Sequence, residues 1–237
     1  MYDLSVVIPA YNEEKKIGND IENIYHFFNE NSINGELLVI DDGSKDSTFS
    51  TASSYKKKYP SLKVITYERN RGKGYATKTG ILEATSEYML LIDAGSSVPL
   101  NYIHTGLNLL KSGNDVAMGS RSTADKGIVT LKQPFYRRFG SKGFKFIIQA
   151  INLIPKGIED TQCGFKLFKK KAAHDIFKKM FTEKNIWDIE MIRRALKGKY
   201  KISVFPVEWK NDPDTRFNPF IGSFETILQL FNIILRT

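Results

Sequence analysis

ELLVIDDGSKDST, residues 36–48, decides the fold. Its first five residues form an apolar strand pattern, and two carboxylates and a glycine follow directly. Asp46, Ser47 and Thr48 then open a helix that we expect to run to about Tyr59, because Pro60 stops it. A buried strand that ends in polar residues and leads into a helix is the repeating unit of an α/β sheet.

The same unit repeats on both sides of this stretch. Helical spacing predicts a first helix over 13–31, capped by Asn12. The other elements expected in the first hundred residues are strands at 4–9, 62–67 and 88–92 and a helix at 74–84. This βαβαβαβ order predicts a mostly parallel sheet with helices on both faces. Ligands bind at the carboxyl ends of such strands, where residues 9–13, 41–42 and 93–97 lie.

Beyond residue 100 the pattern is looser. It predicts strands at 115–119, 165–168 and 202–207, loops at 125–130 and 211–220, and helices at 100–110, 134–154, 172–180, 186–196 and 222–235. Neither an internal repeat nor a linker interrupts the chain. We therefore expect one domain over residues 1–237, with basic amphipathic helices in its C-terminal half.

Composition excludes several classes of protein. Of 237 residues, 41% are apolar and 26% are charged, and 16 Phe, 11 Tyr and 2 Trp argue against disorder. The single cysteine, Cys163, excludes an internal disulfide framework and suits a reducing compartment. Neither a signal-peptide pattern nor an apolar run of ~18 residues is present, so we expect no transmembrane segment.

Positive charge is concentrated in the C-terminal half. Residues 1–100 carry a net charge of −3, residues 101–237 carry +12, and the window 126–179 carries +10. Such a basic half predicts an anionic partner: nucleic acid, a phosphorylated substrate or an acidic membrane surface. A solvated basic face is the open alternative. Because the chain has no nucleic-acid recognition motif, we expect no nucleic-acid partner.

The strand ends carry residues suited to phosphate chemistry. Asp41 and Asp42 need donors, a cation or helix N–H groups nearby, and a simple capping turn is the alternative. Asp93 follows an apolar strand and could bind Mg²⁺ or Mn²⁺ together with a diphosphate. The run RNRGKG, residues 69–74, places three cations and two glycines before a helix, which favours phosphate binding. It is neither a P-loop nor a GxGxxG dinucleotide fingerprint.

Four motifs in order resemble a known family. VVIPAYNEE (6–14), VIDDGSKDST (39–48) and NRGKG (70–74) look like glycosyltransferase family 2, which has the GT-A fold. DTQCGFKLF (160–168) resembles the dolichyl-phosphate glucosyltransferase and mannosyltransferase branch of that family. The resemblance spans roughly residues 4–210.

The resemblance implies an inverting transfer of a hexose from a UDP-glucose-like or GDP-mannose-like donor to a dolichyl or undecaprenyl phosphate. Residues 1–100 would then bind the donor, and residues 101–237 the acceptor. The implied donor residues are Pro9, Ala10, Tyr11, Glu13, Asp41, Asp42, Lys73, Gly74, Asp93 and Ala94. The implied phosphate-binding residues are Arg121, Arg137 and Arg138, and Asp160 occupies the position of the catalytic carboxylate. Arg216 is a further candidate for positioning a phosphate acceptor.

One departure from the family concerns the metal. Asp93 begins the Asp-X-Asp metal motif, but the second acid is replaced by Gly95. A Mg²⁺ or Mn²⁺ ion held by Asp93 and the donor diphosphate remains possible, since Mg²⁺ needs few protein ligands. Weaker metal affinity, a different donor and a non-catalytic relative also remain open.

The acceptor is the second open question. A sugar hydroxyl would need a general base, for which Asp160 is the best candidate. A phosphate acceptor is already anionic and needs positioning instead, so Asp160 would then orient a group or balance charge. Hydroxyl transfer in polysaccharide or glycolipid assembly and a nucleotide- or nucleic-acid-binding module are the alternative functions.

The last prediction concerns location. The Phe/Ile face and basic face of residues 132–154 fit an interfacial helix, and the final helix shows a similar pattern. We therefore predict a peripheral protein at the cytoplasmic face of an anionic membrane. The alternative is that these helices pack one face against the core and expose the other face to solvent.

Overall fold

The protein is described here from a computed structural model. The structure describes residues 2–95, 98–121, 154–155, 157–184, 186–209 and 223–237, and for 223–227 the backbone only. The expected loops at 125–130 and 211–220 and nearly all of the expected helix at 134–154 lie outside these residues.

Seven strands form one sheet in the order β3-β2-β1-β4-β6-β5-β7. Of these, β6 runs antiparallel to both of its neighbours, while the remaining pairs are parallel. The strands are β1 (Leu4–Ala10), β2 (Gly35–Asp41), β3 (Leu62–Thr66), β4 (Tyr88–Leu91), β5 (Val116–Ser120), β6 (Lys166–Lys169) and β7 (Ile202–Pro206). The mostly parallel α/β class expected from the sequence is confirmed.

Helices cover both faces of the sheet. Those described are α1 (Ile17–Glu30), α2 (Thr48–Ser54), α3 (Lys73–Glu83), α4 (Tyr102–Lys111), α5 (Lys170–Lys179), α6 (Trp187–Lys197) and α7 (Ser223–Arg236). Alternate residues of the strands enter two separate cores: Val7 packs with α3, α5, α6 and α7, whereas Val6 and Ile8 pack with α1, α2 and α4. Within the described part of the chain, every helix is too short or too polar to cross a bilayer.

Two helix boundaries lie more than two residues from the sequence expectation. Helix α1 begins at Ile17 rather than Glu13, and Asn12 is not its cap. Asn12 has a left-handed φ of 56° and hydrogen-bonds instead with the turn after β2, so a separate turn at residues 13–16 precedes the helix. Helix α2 ends at Ser54, and a 3₁₀ turn, Tyr55–Lys57, follows it.

The topology directs the candidate residues to one edge of the sheet. From β1 the chain moves outward through β2 to β3, and then returns to place β4 on the other side of β1. This reversal of strand order opens a crevice at the carboxyl ends of β1 and β4. The ends of β1, β2 and β4 carry Ala10, Asp41 and the residues leading to Asp93.

Candidate active site

The turns after β1 and β2 are bound together. The carbonyl oxygen of Ala10 accepts a hydrogen bond from the backbone N–H of Asp42 at 2.8 Å. The N–H of Asn12 donates to Ser44 Oγ at 2.8 Å, and that of Glu13 donates to Thr48 Oγ1 at 2.7 Å. These bonds fix the segment from Pro9 to Glu13, which includes Ala10 and Tyr11, against the acidic turn.

Asp42 organises the loop between β3 and α3. Its Oδ1 accepts hydrogen bonds from Tyr67 Oη at 2.8 Å and the N–H of Arg71 at 2.9 Å. Its Oδ2 accepts from Asn70 Nδ2 at 2.8 Å and the N–H of Gly72 at 2.9 Å. Four donors on a buried carboxylate make it a structural anchor of the RNRGKG run.

Asp41 is also buried but has fewer partners. Its Oδ2 accepts a hydrogen bond from Thr66 Oγ1 at 2.6 Å, and its Oδ1 accepts from the N–H of Ser44 at 3.3 Å. Each carboxylate oxygen can accept two hydrogen bonds. Of the two acids, Asp41 therefore retains the larger capacity to accept a bond from a ligand.

Lys73 and Asp93 form an ion pair at the start of α3. Lys73 Nζ lies 2.7 Å from Asp93 Oδ1, and both side chains are partly exposed, by 38% and 44%. Burial disfavours both charges, but their mutual attraction outweighs it. The pKa of Lys73 is therefore raised and that of Asp93 lowered, so both stay charged at neutral pH. The next residue, Gly74, packs so closely that a Cβ would lie 2.4 Å from the carbonyl oxygen of Thr182.

The turn after Asp93 is held from two sides. Gly164 lies directly against the Asp93 carboxylate, since a Cβ on Gly164 would lie 2.1 Å from Asp93 Cγ. Gly95 has a left-handed φ of 74°, and its N–H donates to Asp20 Oδ2 at 2.7 Å. Ala94, which lies between Asp93 and Gly95 in the chain, packs against the core on the α1 side. Gly95 thus suits the left-handed backbone conformation at this position, and it offers no side-chain oxygen to a metal ion.

Arg121 and Asp160 form the second ion pair of the site. Asp160 Oδ2 accepts from Arg121 Nε at 2.7 Å and from the Arg121 N–H at 2.9 Å, while Oδ1 accepts from Arg121 Nη2 at 2.8 Å. Burial opposes ionisation of Asp160, but these bonds outweigh it and hold its pKa below the usual range. The guanidinium carbon lies 5.5 Å from the ring centre of Trp209. This bidentate pair fixes the direction of Arg121.

One member of each ion pair, Asp93 and Arg121, lines a single small pocket of about 40 Å³. Its lining includes Asp93, Arg121, Cys163, Gly164, Phe165 and Trp209. Burial raises the pKa of the Cys163 thiol to about 11, so this residue has no thiolate for nucleophilic attack. Asp160 is buried behind Arg121, which is itself 30% exposed. The pocket therefore presents the Arg121 cation, which suits phosphate groups, beside the Asp93 carboxylate, which suits a divalent cation.

Some sequence expectations cannot be placed. Arg137, Arg138 and Arg216 lie outside the described residues. Within the described ranges, no three His, Cys, Asp or Glu side chains are grouped as ligands for a metal ion. Asp93 remains the one expected metal ligand whose position is described.

Two residues at the site were missed by the sequence reasoning. Asp20 lies on the buried face of α1 with Ile17, Ile21 and Ile24. An acid on a core-facing stripe is the signal that could have revealed it, because a buried carboxylate needs donors. Trp209 follows β7 without any periodic pattern that would mark it.

Comparisons with known proteins show the family of the chain. The family model described as Glycosyl transferase family 2 matches residues 5–177. The chain is 33% identical over 244 residues to a dolichyl-phosphate beta-glucosyltransferase of Dictyostelium discoideum, covering 98% of this chain and 74% of that protein. It is 34% identical over 246 residues to the Homo sapiens protein of the same name, with 98% and 75% covered.

A solved structure shows the same fold. Glucosyl-3-phosphoglycerate synthase from Mycobacterium tuberculosis, crystallised with Mn²⁺, uridine diphosphate and glucosyl-3-phosphoglycerate, superposes with a TM-score of 0.66 at 17% identity. The match covers 90% of this chain and 73% of that one. At this identity the likeness supports the fold alone, which is the GT-A fold. The family match over most of the chain has a direct consequence: this protein is a glycosyltransferase and belongs to glycosyltransferase family 2.

Proposed function

We propose that this enzyme transfers glucose, with inversion, from a nucleotide-diphospho-glucose to a polyprenyl phosphate such as dolichyl phosphate. One observation supports the proposal: Asp93 and Arg121 line one pocket, and each is fixed by an ion pair, Asp93 with the cation Lys73 and the cation Arg121 with Asp160. A transfer from a diphosphate to a phosphate brings two anions together, and two fixed cations would stabilise that encounter. The names of the relatives supply the sugar and the lipid.

The donor would lie across the ends of β1, β2 and β4. Asp41 would accept a hydrogen bond from the base, because the Asp42 carboxylate already receives four bonds from the protein. Lys73 would contact the diphosphate, either by breaking its ion pair with Asp93 or by binding the diphosphate and Asp93 at the same time. The remaining donor residues that we propose are Pro9, Ala10, Tyr11, Glu13, Asp42, Gly74 and Ala94.

The residues present fit a divalent metal only in a limited way. Asp93 offers one carboxylate, 44% exposed and facing the pocket, and Gly95 supplies no second ligand oxygen. One carboxylate is sufficient when the substrate phosphates and water complete the shell of Mg²⁺ or Mn²⁺. When bound, such an ion would neutralise charge on the departing nucleotide. We therefore propose Asp93 as its protein ligand.

The acceptor phosphate would bind to Arg121, joined by Arg137, Arg138 and Arg216. A phosphate monoester has a second pKa near 6, so its oxygen is already a nucleophile at neutral pH. It would attack the anomeric carbon as the bond from that carbon to the diphosphate oxygen breaks, and no proton needs to leave. Asp160 would then orient Arg121. Asp160 has a lowered pKa and its carboxylate is paired with Arg121, so it would be a weak base for the rival reaction with a sugar hydroxyl.

The test is a matrix of donors and acceptors. The full chain is incubated with radiolabelled UDP-glucose or GDP-mannose and with dolichyl phosphate, undecaprenyl phosphate or a soluble methyl glucoside, in Mg²⁺, Mn²⁺ or EDTA. We expect label in the organic phase from UDP-glucose with either lipid phosphate. Label on the methyl glucoside alone would support hydroxyl transfer and contradict the proposal. The lipid product must also carry the inverted, β anomer.

We further propose that residues 1–100 and 101–237 act as the donor and acceptor parts of one domain that works at a membrane surface, at its cytoplasmic face. Helix α7 packs Leu230 and Ile233 into the core, while Phe231 and Leu235 are 58% and 67% exposed on its other side. The buried, unpaired Cys163 suits a reducing compartment. Exposed apolar side chains beside a basic half suit an anionic bilayer.

Vesicle sedimentation tests this location. We expect the chain to sediment with anionic vesicles at low salt, and Phe231→Ser/Leu235→Ser to sediment several-fold less. Phe49→Ser is the matched control, because Phe49 is also an exposed phenylalanine, 40% exposed, but lies on α2. Equal sedimentation of the α7 variant and the wild type would contradict a role for this face.

A further inference from the structure

A third ion pair lies behind the site and is fully buried. Lys166 Nζ lies 2.6 Å from Asp188 Oδ1, and the two side chains are 0% and 7% exposed. The ammonium also donates a hydrogen bond to the carbonyl oxygen of Cys163 and lies 5.1 Å from the ring centre of Trp187. Burying two charges is costly, and apolar residues of similar size often serve stability equally well. The pair therefore calls for an explanation other than stability.

The pair joins two elements that meet beneath the pocket. Lys166 is the first residue of β6, and Asp188 lies in the first turn of α6, where the helix dipole favours an anion. Burial raises the pKa of Asp188 in spite of the nearby ammonium. The Lys166 charge also contributes to the lowered pKa values of Asp93 and Asp160. Lys166 is thus within electrostatic reach of both carboxylates of the site.

A chain of contacts leads from this pair to Asp93. Lys166 Nζ holds the carbonyl oxygen of Cys163, which belongs to the peptide bond that joins Cys163 to Gly164. Gly164 in turn lies so close to the Asp93 carboxylate that no side chain fits between them. Any shift of the 163–164 peptide therefore moves the surface against which Asp93 rests.

We propose that Lys166 and Asp188 form a positioning pair for the donor site. The pair fixes the 163–164 peptide, and through it the place of the Asp93 carboxylate and of its partner Lys73. Neither residue touches the substrate. The proposal rests on the proposed function in one respect, namely that the ligand measured is a nucleotide sugar.

A charge-free double variant separates positioning from stability. Lys166→Met alone leaves the Asp188 charge buried without a partner, so we expect a lower melting temperature. Lys166→Met/Asp188→Val removes both charges, and we expect it to recover most of that loss. Its affinity for UDP and UDP-glucose, measured by titration calorimetry, should nevertheless stay about 10–100-fold weaker than that of the wild type.

Lys63→Met is the matched control. Lys63 Nζ lies 2.9 Å from Glu36 Oε2, and Glu36 is fully buried near the opposite end of the sheet. We expect this variant to lose stability and keep its affinity for UDP-glucose. Asp188→Asn, which keeps the size of the side chain, is the second probe if the double variant does not fold, and should bind UDP about tenfold more weakly.

Each outcome decides the proposal. A folded double variant, or a folded Asp188→Asn variant, that binds UDP-glucose as tightly as the wild type would overturn the positioning role and leave the proposed function intact. A wild type that binds no nucleotide sugar would overturn the proposed function and the positioning role together. Weaker binding by the Lys63→Met control to the same degree would show that lost stability alone explains the effect, and would also overturn the role.

Discussion

The end of β2 and the pocket beside β4 both hold buried or half-buried aspartates, but different groups hold them. Asp42 accepts four hydrogen bonds from neutral donors, two of them backbone N–H groups. Asp93 and Asp160 are each held by a cation, Lys73 and Arg121. Neutral donors around a carboxylate fix a loop, whereas a carboxylate paired with a cation also fixes a positive charge beside the pocket. The first region therefore shapes the site, and the second carries its charge.

The largest effect is expected at Arg121. Arg121→Gln removes the charge that would meet the acceptor phosphate, and kcat/KM for dolichyl phosphate should fall about 10²–10³-fold. Steady-state kinetics at saturating UDP-glucose measure this. Arg194→Gln is the control, because Arg194 Nε also pairs with a buried carboxylate, Glu190, at 2.6 Å but does not line the pocket. An equal loss in both variants would contradict the assignment.

Asp93→Asn tests the other half of the charged region. Loss of the carboxylate frees Lys73 and removes the proposed metal ligand, so kcat/KM for UDP-glucose should fall about 10–100-fold. Because this ion pair is nearly half exposed, the melting temperature should change little. Activity and thermal unfolding are measured on the same preparation. A large drop in melting temperature with unchanged activity would show that Asp93 serves stability rather than the charge of the site, and would contradict the assignment.

Asp42→Asn should show the opposite balance. The variant replaces one carboxylate oxygen, which accepts hydrogen bonds, with an amide NH₂ group, which donates them. Because the groups around residue 42 are themselves donors, we expect a loss of about 1–3 kcal/mol in the free energy of unfolding. Urea unfolding measures this loss. The effect on UDP-glucose turnover should be smaller than that of Asp93→Asn, since Asp42 acts through the 67–72 loop. Unchanged stability would contradict its role as an anchor.

The smallest effect is expected at Asp20. Asp20→Ala removes the acceptor of the Gly95 N–H and should raise KM for UDP-glucose about tenfold. Asp20→Asn keeps an acceptor oxygen and should recover most of this loss. Glu22→Ala is the control, because Glu22 lies on the same helix but pairs with Lys58 at the surface. If Asp20→Asn and Asp20→Ala behave alike, the hydrogen bond does not position the turn.

Much of the fold follows from local pattern, and the site follows only in part. Apolar patterns predict all seven strands, because most of these strands are buried on both faces and such strands read as near-continuous apolar runs. The predicted start of α1 was wrong because Asn12 forms hydrogen bonds with a turn that is distant in sequence instead of capping the helix. The motifs indicated Lys73, Asp93, Arg121 and Asp160 individually. Their pairing across 20 and 39 residues depends on strand order and loop packing, which no local pattern contains.

The pH dependence of acceptor kcat/KM tests the central claim most directly, namely that Asp160 orients Arg121 and takes no proton. The pKa of Asp160 is lowered, so its contribution to stability is present above the unfolded value of about 3.9 and is lost only as the pH falls through the lower folded value. An acid limb near pH 6 would then come from the acceptor phosphate, whose second pKa is about 6.

Asp160→Asn and the wild type are compared from pH 5 to 9 with dolichyl phosphate and UDP-glucose. We predict a lower rate for the variant and the same fall in kcat/KM below about pH 6 in both proteins. An acid limb that is present in the wild type and absent in Asp160→Asn would contradict the account, because Asp160 would then be the group that accepts a proton.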